Sequence, residues 1–425
     1  MSVSNNSRRI RFGRLSLMFG AHAMGSANIA LVLAFAPLLQ EQLGLTPSAF
    51  GLAVSCYYAA QVVGALPAGM LVDRFGIRRG LMAAQLILAL GMGLIAFARG
   101  PIGLSVGLAL CGFGYVLVNP ATARGVLAWF DPRHRATAMG VKQTGVPIGA
   151  VVIAMAAALV KDWRTFAAIL AVSMALMTTA FLRLEKEKTS STRSTALRDL
   201  KKAVSHRRLT AVTLATGLYT SAFGAVLAYF VTFSYEIVHV SFGMASLFLA
   251  LVQAAAAVGR IAWGVAGDRL PGNGRVTGLL ACGLVGAASI AALPFVDSSA
   301  GMTVAALMIG LTVGGFASLA QTLAVESVDR SLAGAAIGYN MLLVTVGLML
   351  GPALFALVLT HAGYGASWYG VALVMLVGAL LFWLGSNMPA TGSHGPDAAH
   401  SNDTNRTEHS VLPKVGDDRR PRKPR

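Results

Sequence analysis

Twelve mostly apolar stretches, each close to the ~20 residues that a helix needs to cross a bilayer, fill this chain from residue 15 to residue 386. They fall at 15–38, 48–72, 78–98, 102–129, 136–160, 164–183, 208–235, 243–267, 275–296, 301–325, 332–360 and 365–386. Inside lipid, stretches of this length satisfy their backbone amides as helices. The expected fold class is an all-α membrane protein with twelve transmembrane helices in two pseudo-symmetric six-helix bundles. The expected units are a segment over 1–14, a first bundle over 15–183, a polar linker over 184–207, a second bundle over 208–387 and a tail over 388–425. The tail is rich in Ser, Asn, Asp, His, Pro and Arg, which predicts disorder.

Charge patterning orients the bundle. Only 12% of the residues are charged, against about 25% in a soluble domain, so the chain lacks the polar surface of a globule in water. The net charge of +17 would suggest a nucleic-acid partner in a soluble protein. Here the basic residues collect on alternate loops instead. Arg8, Arg9, Arg11 and Arg14 precede the first helix, Arg74, Arg78 and Arg79 follow the second, and nine basic residues lie between Arg183 and Arg208. The other side shows only Arg99, Lys161 and Arg164. The positive-inside rule then predicts a multi-pass protein of the cell inner membrane, with both termini cytoplasmic, a lipid bilayer around it and no nucleic-acid partner. The basic start resembles a signal-peptide n-region, but eleven further apolar stretches make it the flank of an uncleaved first helix. Cys56, Cys111 and Cys282 lie in apolar runs without CxxC spacing, which argues against disulfides and zinc. The sequence carries no HExxH, nucleophile elbow, Walker motif or His/Asp metal cluster, so no enzyme activity, cofactor or metal is expected.

One element is written twice. Gly64, Gly69, Asp73 and Arg74, in GALPAGMLVDRFGIRR, recur 195 residues later as Gly259, Gly264, Asp268 and Arg269, in GRIAWGVAGDRLPGNGR. Such self-similarity points to two repeated halves. Gly69 is expected to let helices approach closely, and Asp73 to meet a helix N-terminus or the basic group Arg74, Arg78 and Arg79. A gate built this way would use Gly69, Asp73, Arg74, Gly76, Arg78 and Arg79 with Gly264, Asp268 and Arg269. The alternative is a plain positive-inside turn.

Charges within the membrane are functional candidates by default. All seventeen acidic residues fall at helix ends, in loops or in the tail, whereas Arg124, Lys142 and Arg260 enter the helices. Arg124 and Lys142 each sit roughly 9 Å inside the cytoplasmic end at 1.5 Å rise per residue. Lys142 shares a face with Gly145 and Gly149, which leaves room for a ligand or a close neighbour. Arg260 shares one with Gln253 and Gly264. Arg124 points away from the stripe of Tyr115, Asn119 and Thr122. These side chains either snorkel to the interface or line a positively charged cleft suited to an anion. Asn28, Asn119, Gln143, Tyr219, Gln321 and Asn340 are candidates to orient such a ligand, or else form helix–helix hydrogen bonds. His22, mid-helix, is either a proton carrier or a packed residue.

The stretch GMLVDRFGIRR resembles the loop signature G-x-L-a-D-r-x-G-r-k between the second and third helices of the major facilitator superfamily. Gly69, Leu71, Asp73, Arg74 and Gly76 match in place, with Arg78 and Arg79 near the final basic pair. In the second copy Ala266 replaces the leucine and Pro271-Gly272 disturbs the glycine. Residues Asn119 to Gly149 look like the same region of bacterial organic-anion and cyanate-type porters and of monocarboxylate carriers. Two departures separate the chain from drug/proton antiporters: Leu108 stands at the place of their fourth-helix arginine, and Gly145-Val146-Pro147-Ile148-Gly149 replaces their G-P-x-G-G. The resemblance implies a monomeric secondary transporter whose halves rock about a central site. It further implies a small, monocarboxylate-like organic anion as substrate, moved by symport or exchange with a coupling proton or counter-anion. The alternative is an exporter of neutral or cationic drugs or metabolites.

Overall fold

In a computed structural model, residues 2–184, 196–270, 273–329 and 332–388 are described. The helices are α1 (Ser2–Ala34), α2 (Ala36–Leu43), α3 (Pro47–Ala96), α4 (Pro101–Trp129), α5 (Pro132–Leu159), α6 (Trp163–Phe181) and α7 (Ala196–Val204). They continue as α8 (Arg207–Glu236), α9 (Phe242–Arg269), α10 (Gly274–Ala291), α11 (Ser299–Val313), α12 (Ala317–Glu326) and α13 (Ala333–Ser386). No strand occurs among the described residues.

Two of these helices are pairs of crossings joined without a loop. Helix α3 turns at Gly76 (φ 80°) and α13 at Gly363 (φ 77°). Both lie in the left-handed region that glycine enters without steric cost, so Gly76 has a backbone reason for its place in the duplicated motif. With each pair counted as two, the described residues hold twelve helical spans of the kind expected. Other boundaries follow local chemistry. Thr46, Ser241 and Ser298 accept backbone N–H bonds at the starts of α3, α9 and α11, as N-caps do.

Several expectations need correction. The N-terminal segment does not stop short of the first helix, because α1 is already helical from Ser2, with no proline to interrupt it. The first crossing is not continuous to residue 38: it breaks at Phe35, where Pro37 opens α2. The linker holds a helix, α7, with Ala203 buried. The expected disordered tail lies outside the described residues from 389 onward. The tenth crossing breaks between Val313 and Ala317. There the Trp263 indole donates to Leu311 O at 2.9 Å, and Arg260 Nε donates to Gly314 O at 3.2 Å. These bonds serve carbonyls that the interrupted helix releases, which is what allows irregular backbone at membrane depth.

The two halves, α1–α6 and α8–α13, are fastened at one end. Among the described residues, the hydrogen bonds crossing between them are Gln40–Thr232 (3.0 Å), Ser48–Thr360 (2.6 Å), Ser55 to Met349 O (2.6 Å), Tyr229 to Pro47 O (2.7 Å) and Ser246 to Ala34 O (3.3 Å). All lie toward the face opposite the arginine-rich loops. Toward the arginine-rich face the same helices stand apart. A methyl group added at Gly69 on α3, Gly140 on α5, or Gly334 and Gly338 on α13 would meet nothing within 4 Å. The close approach expected at Gly69 is therefore absent in this conformation.

Candidate functional site

The site begins with two glycines. Gly145 and Gly149 put one side of α5 directly on the backbone of α1. A methyl at Gly145 would come within 2.4 Å of Phe19 O, and one at Gly149 within 2.5 Å of Ala23 O. Of the two uses that the sequence allowed for this face, the structure shows the close neighbour. Lys142, one turn earlier on the same face, is thereby laid beside His22 of α1.

Lys142 is 0% exposed, and it is the one Lys, Arg, Asp or Glu among the described residues that is fully buried. Its ammonium donates to Asn119 Oδ1 at 2.9 Å and Thr122 Oγ1 at 3.1 Å, and lies 3.4 Å from His22 Nε2. His22 Nε2 is in turn 3.0 Å from Thr122 Oγ1. The lysine does not snorkel: it turns into the first half and meets only uncharged acceptors. Asn119 is exposed, so the cluster reaches the surface of the first half through that residue.

The second half contributes Arg260. Its Nε donates to Gly314 O and so holds the broken tenth crossing. Tyr115 of the first half stands edge-on to His22 (6.4 Å between ring centroids) and stacked on Tyr57 (6.5 Å). Thr122 and Tyr115 were visible in the sequence only as members of the Asn119 stripe. Their role depends on a lysine that arrives from another helix.

Other expected ligand residues lie elsewhere. Arg124 NH1 donates to Asp73 Oδ1 at 2.8 Å, because it faces α3 rather than the stripe. Asp73 accordingly pairs with Arg124 rather than with Arg74, Arg78 or Arg79; Arg74 stacks on Phe75 instead. Tyr219 is corrected to a packing residue. It is 0% exposed, its hydroxyl donates to Leu279 O at 2.9 Å, and its ring meets Phe316 and Phe382. Asn28 donates to Gly25 O and leaves Oδ1 unpartnered, as does buried Asn340. Gln143 is exposed and Gln321 half-buried.

In the second half Asp268 pairs with Arg275 at 3.2 Å rather than with Arg269, and Arg275 also reaches Glu326 at 3.0 Å. Arg275 therefore ties α9, α10 and α12 together, and Gly264 has only Ser318 Oγ near, at 3.7 Å from an added methyl. The sequence signal for Arg275 was its spacing, seven residues past Asp268 across a turn. Asp268 and Glu326 are exposed and Arg275 is half-buried, so Arg275→Gln is expected to cost about 1 kcal/mol or less. Thermal melting in low and in high salt checks this, since screening should shrink the difference. A loss that is large and unaffected by salt would contradict it.

Comparison with known proteins places these features. Residues 17–352 match the pattern described as Major Facilitator Superfamily. A Hexuronate transporter of Bacillus subtilis is 29% identical over 117 residues, 28% of each chain. The chain spans under a third of that relative's length in the match. The Multidrug resistance protein MdtG of Salmonella choleraesuis is 24% identical over 376 residues, covering 84% of this chain and 91% of that one. Among solved structures, a bacterial homolog of the human lysosomal transporter Spinster, inward-facing and occupied, superposes with a TM-score of 0.76 at 13% identity, covering 88% of this chain and 96% of that one. Twelve helical spans in two halves, with the family pattern running over most of the length, place this chain in the Major Facilitator Superfamily.

Proposed function

We propose that this transporter carries small organic anions, monocarboxylates or sugar acids, across the cell inner membrane by symport or exchange. The observation that carries this reading is Lys142: a fully buried cation whose partners are all neutral. A buried charge without a counter-charge is costly, and an anion entering the cleft beside Asn119 and Arg260 supplies one. Lys142, Arg260, Asn119 and Tyr115 would contact the substrate. Among the described residues no Asp or Glu is buried, whereas a cation would need one. The similarity to a hexuronate transporter supports the anion class. By the arginine bias of its loops, the open cleft faces the cytoplasm. The ion pairs Asp73–Arg124 and Asp268–Arg275–Glu326 then brace the cytoplasmic ends of the two halves.

The longer match to a multidrug resistance protein favours a second reading, export of neutral or cationic compounds. Reconstituted full-length protein assayed with D-glucuronate, pyruvate and the lipophilic cation tetraphenylphosphonium separates the two. Saturable uptake of an acid and none of the cation is expected. The reverse result would replace the anion reading with the exporter.

A further inference from the structure

Helix α7 is held close to where the membrane begins. Only Ser205 and His206 separate it from α8, which enters an apolar crossing at Arg207. The three steps from Val204 to Arg207 span at most about 11 Å of chain. Thr210 Oγ1 donates to Val204 O at 2.9 Å and keeps that corner closed. The headgroup layer outside the hydrocarbon is about 5–8 Å deep on each side. Helix α7 also packs against α8 and α13, with Ala203 buried and Leu200 half-buried. It therefore stays at the interface and does not swing out into water.

The face turned away from the protein is cationic. Arg198, Lys201 and Lys202 stand at i, i+3 and i+4, which puts them on one side of the helix, away from Leu200 and Ala203. All three are exposed, as are Arg207 and the apolar Val204. Arg208 is half-buried, and its Nε has no acceptor. From 198 to 208 the sequence holds five Lys or Arg and one Asp. Among the described residues none of these five cations has an acidic partner. Like charges at this spacing repel, and a helix of nine residues has little stability of its own. A bilayer surface with anionic headgroups suits such a helix, because it offers negative charge and admits an apolar flank. A nucleic acid or an acidic protein offers nothing to the exposed Val204.

We propose that α7 is a binding site for anionic phospholipids, whose phosphates pair with Arg198, Lys201, Lys202 and Arg207 while Val204 meets the first acyl carbons. Lysine and arginine stems are long enough to lie along the interface and place their charges among the phosphates. Because α7 is packed on α8 and α13, the bound lipid ties the second half itself, and not a loose linker, to the bilayer surface.

The test is lysine footprinting of full-length wild-type protein in phosphatidylcholine nanodiscs with and without phosphatidylglycerol. Acetylation of each lysine by an activated ester is followed by mass spectrometry. Lys161, exposed outside α5 and α6, meets the surface potential of the same bilayer and serves as reference. Phosphatidylglycerol is expected to slow Lys201 and Lys202 about 5-fold more than Lys161, and high salt to remove the difference. A variant carrying Arg198→Gln, Lys201→Gln and Lys202→Gln should retain several-fold less phosphatidylglycerol on extraction into neutral detergent. A variant carrying Arg8→Gln, Arg9→Gln and Arg11→Gln loses the same charge and should retain as much as the wild type. Footprinting needs no variant, so it decides even where the first of these does not fold. Equal slowing of Lys161, Lys201 and Lys202, or equal lipid loss in the two variants, would mean general surface attraction and overturns the site. Slowing of Lys201 and Lys202 by inorganic phosphate in phosphatidylcholine alone would assign the cluster to a soluble anion, and overturns it too.

Discussion

Lys142→Met is expected to weaken carboxylate binding on the order of 10- to 100-fold while leaving the protein at least as heat-stable as the wild type. The two effects have separate physical origins. Lys142 has no counter-charge, so in the empty protein its burial costs free energy that three neutral contacts only partly offset. Methionine is unbranched, of similar length, and fills irregular gaps. Removing the ammonium orphans little: Asn119 is exposed, and Thr122 still donates to Val118 O and meets His22. The ligand loses a hydrogen bond to a charged group, worth about 1.5–3 kcal/mol, which is roughly 10- to 100-fold in affinity. Binding of D-glucuronate and pyruvate, measured with thermal melting on the same preparations, checks both halves. A variant that melts much earlier yet binds as well as the wild type would make Lys142 a structural fastener and end its role as ligand.

The second large effect is steric. Gly145→Ala is expected to destabilise by about 1–3 kcal/mol, the usual range for overpacking. Gly140→Ala on the same helix should instead be neutral or stabilising by up to about 1 kcal/mol, from helix propensity alone. The signs differ because of what each methyl meets. At Gly145 it would lie 2.4 Å from Phe19 O and 3.1 Å from Ala23 N, both backbone atoms that cannot swing aside. At Gly140 there is nothing within 4 Å. Pushing α5 from α1 also parts Lys142 from His22, so transport should fall in Gly145→Ala even in molecules that remain folded. Melting and uptake of the two variants side by side decide it; equal melting would mean that α1 and α5 are not held at this contact.

Some of the site could be read before any coordinates. Gly145 and Gly149 at helical spacing from Lys142 announced a narrow face, and the absence of buried carboxylates among the described residues followed from where the seventeen acidic residues fall. The partners could not be read. Asp73 is close in sequence to three arginines and pairs with a fourth, Arg124, 51 residues away. Arg260 shares a face with Gly264, but its contact is a carbonyl released by a helix break at Gly314 that hydropathy does not register. Tyr219 looked like a polar residue free to turn toward a ligand, and its hydroxyl is instead spent on Leu279 O.

By itself the sequence determined the number of crossings, their order and the duplicated turn. In lipid every backbone amide must be satisfied within its own segment, so long apolar stretches have one form available to them. Tertiary structure decided which charges meet, where helices break, and which end of the cleft is closed. Those depend on how side chains from separate helices compete for the same few acceptors in a medium without water, and local pattern carries no record of that competition.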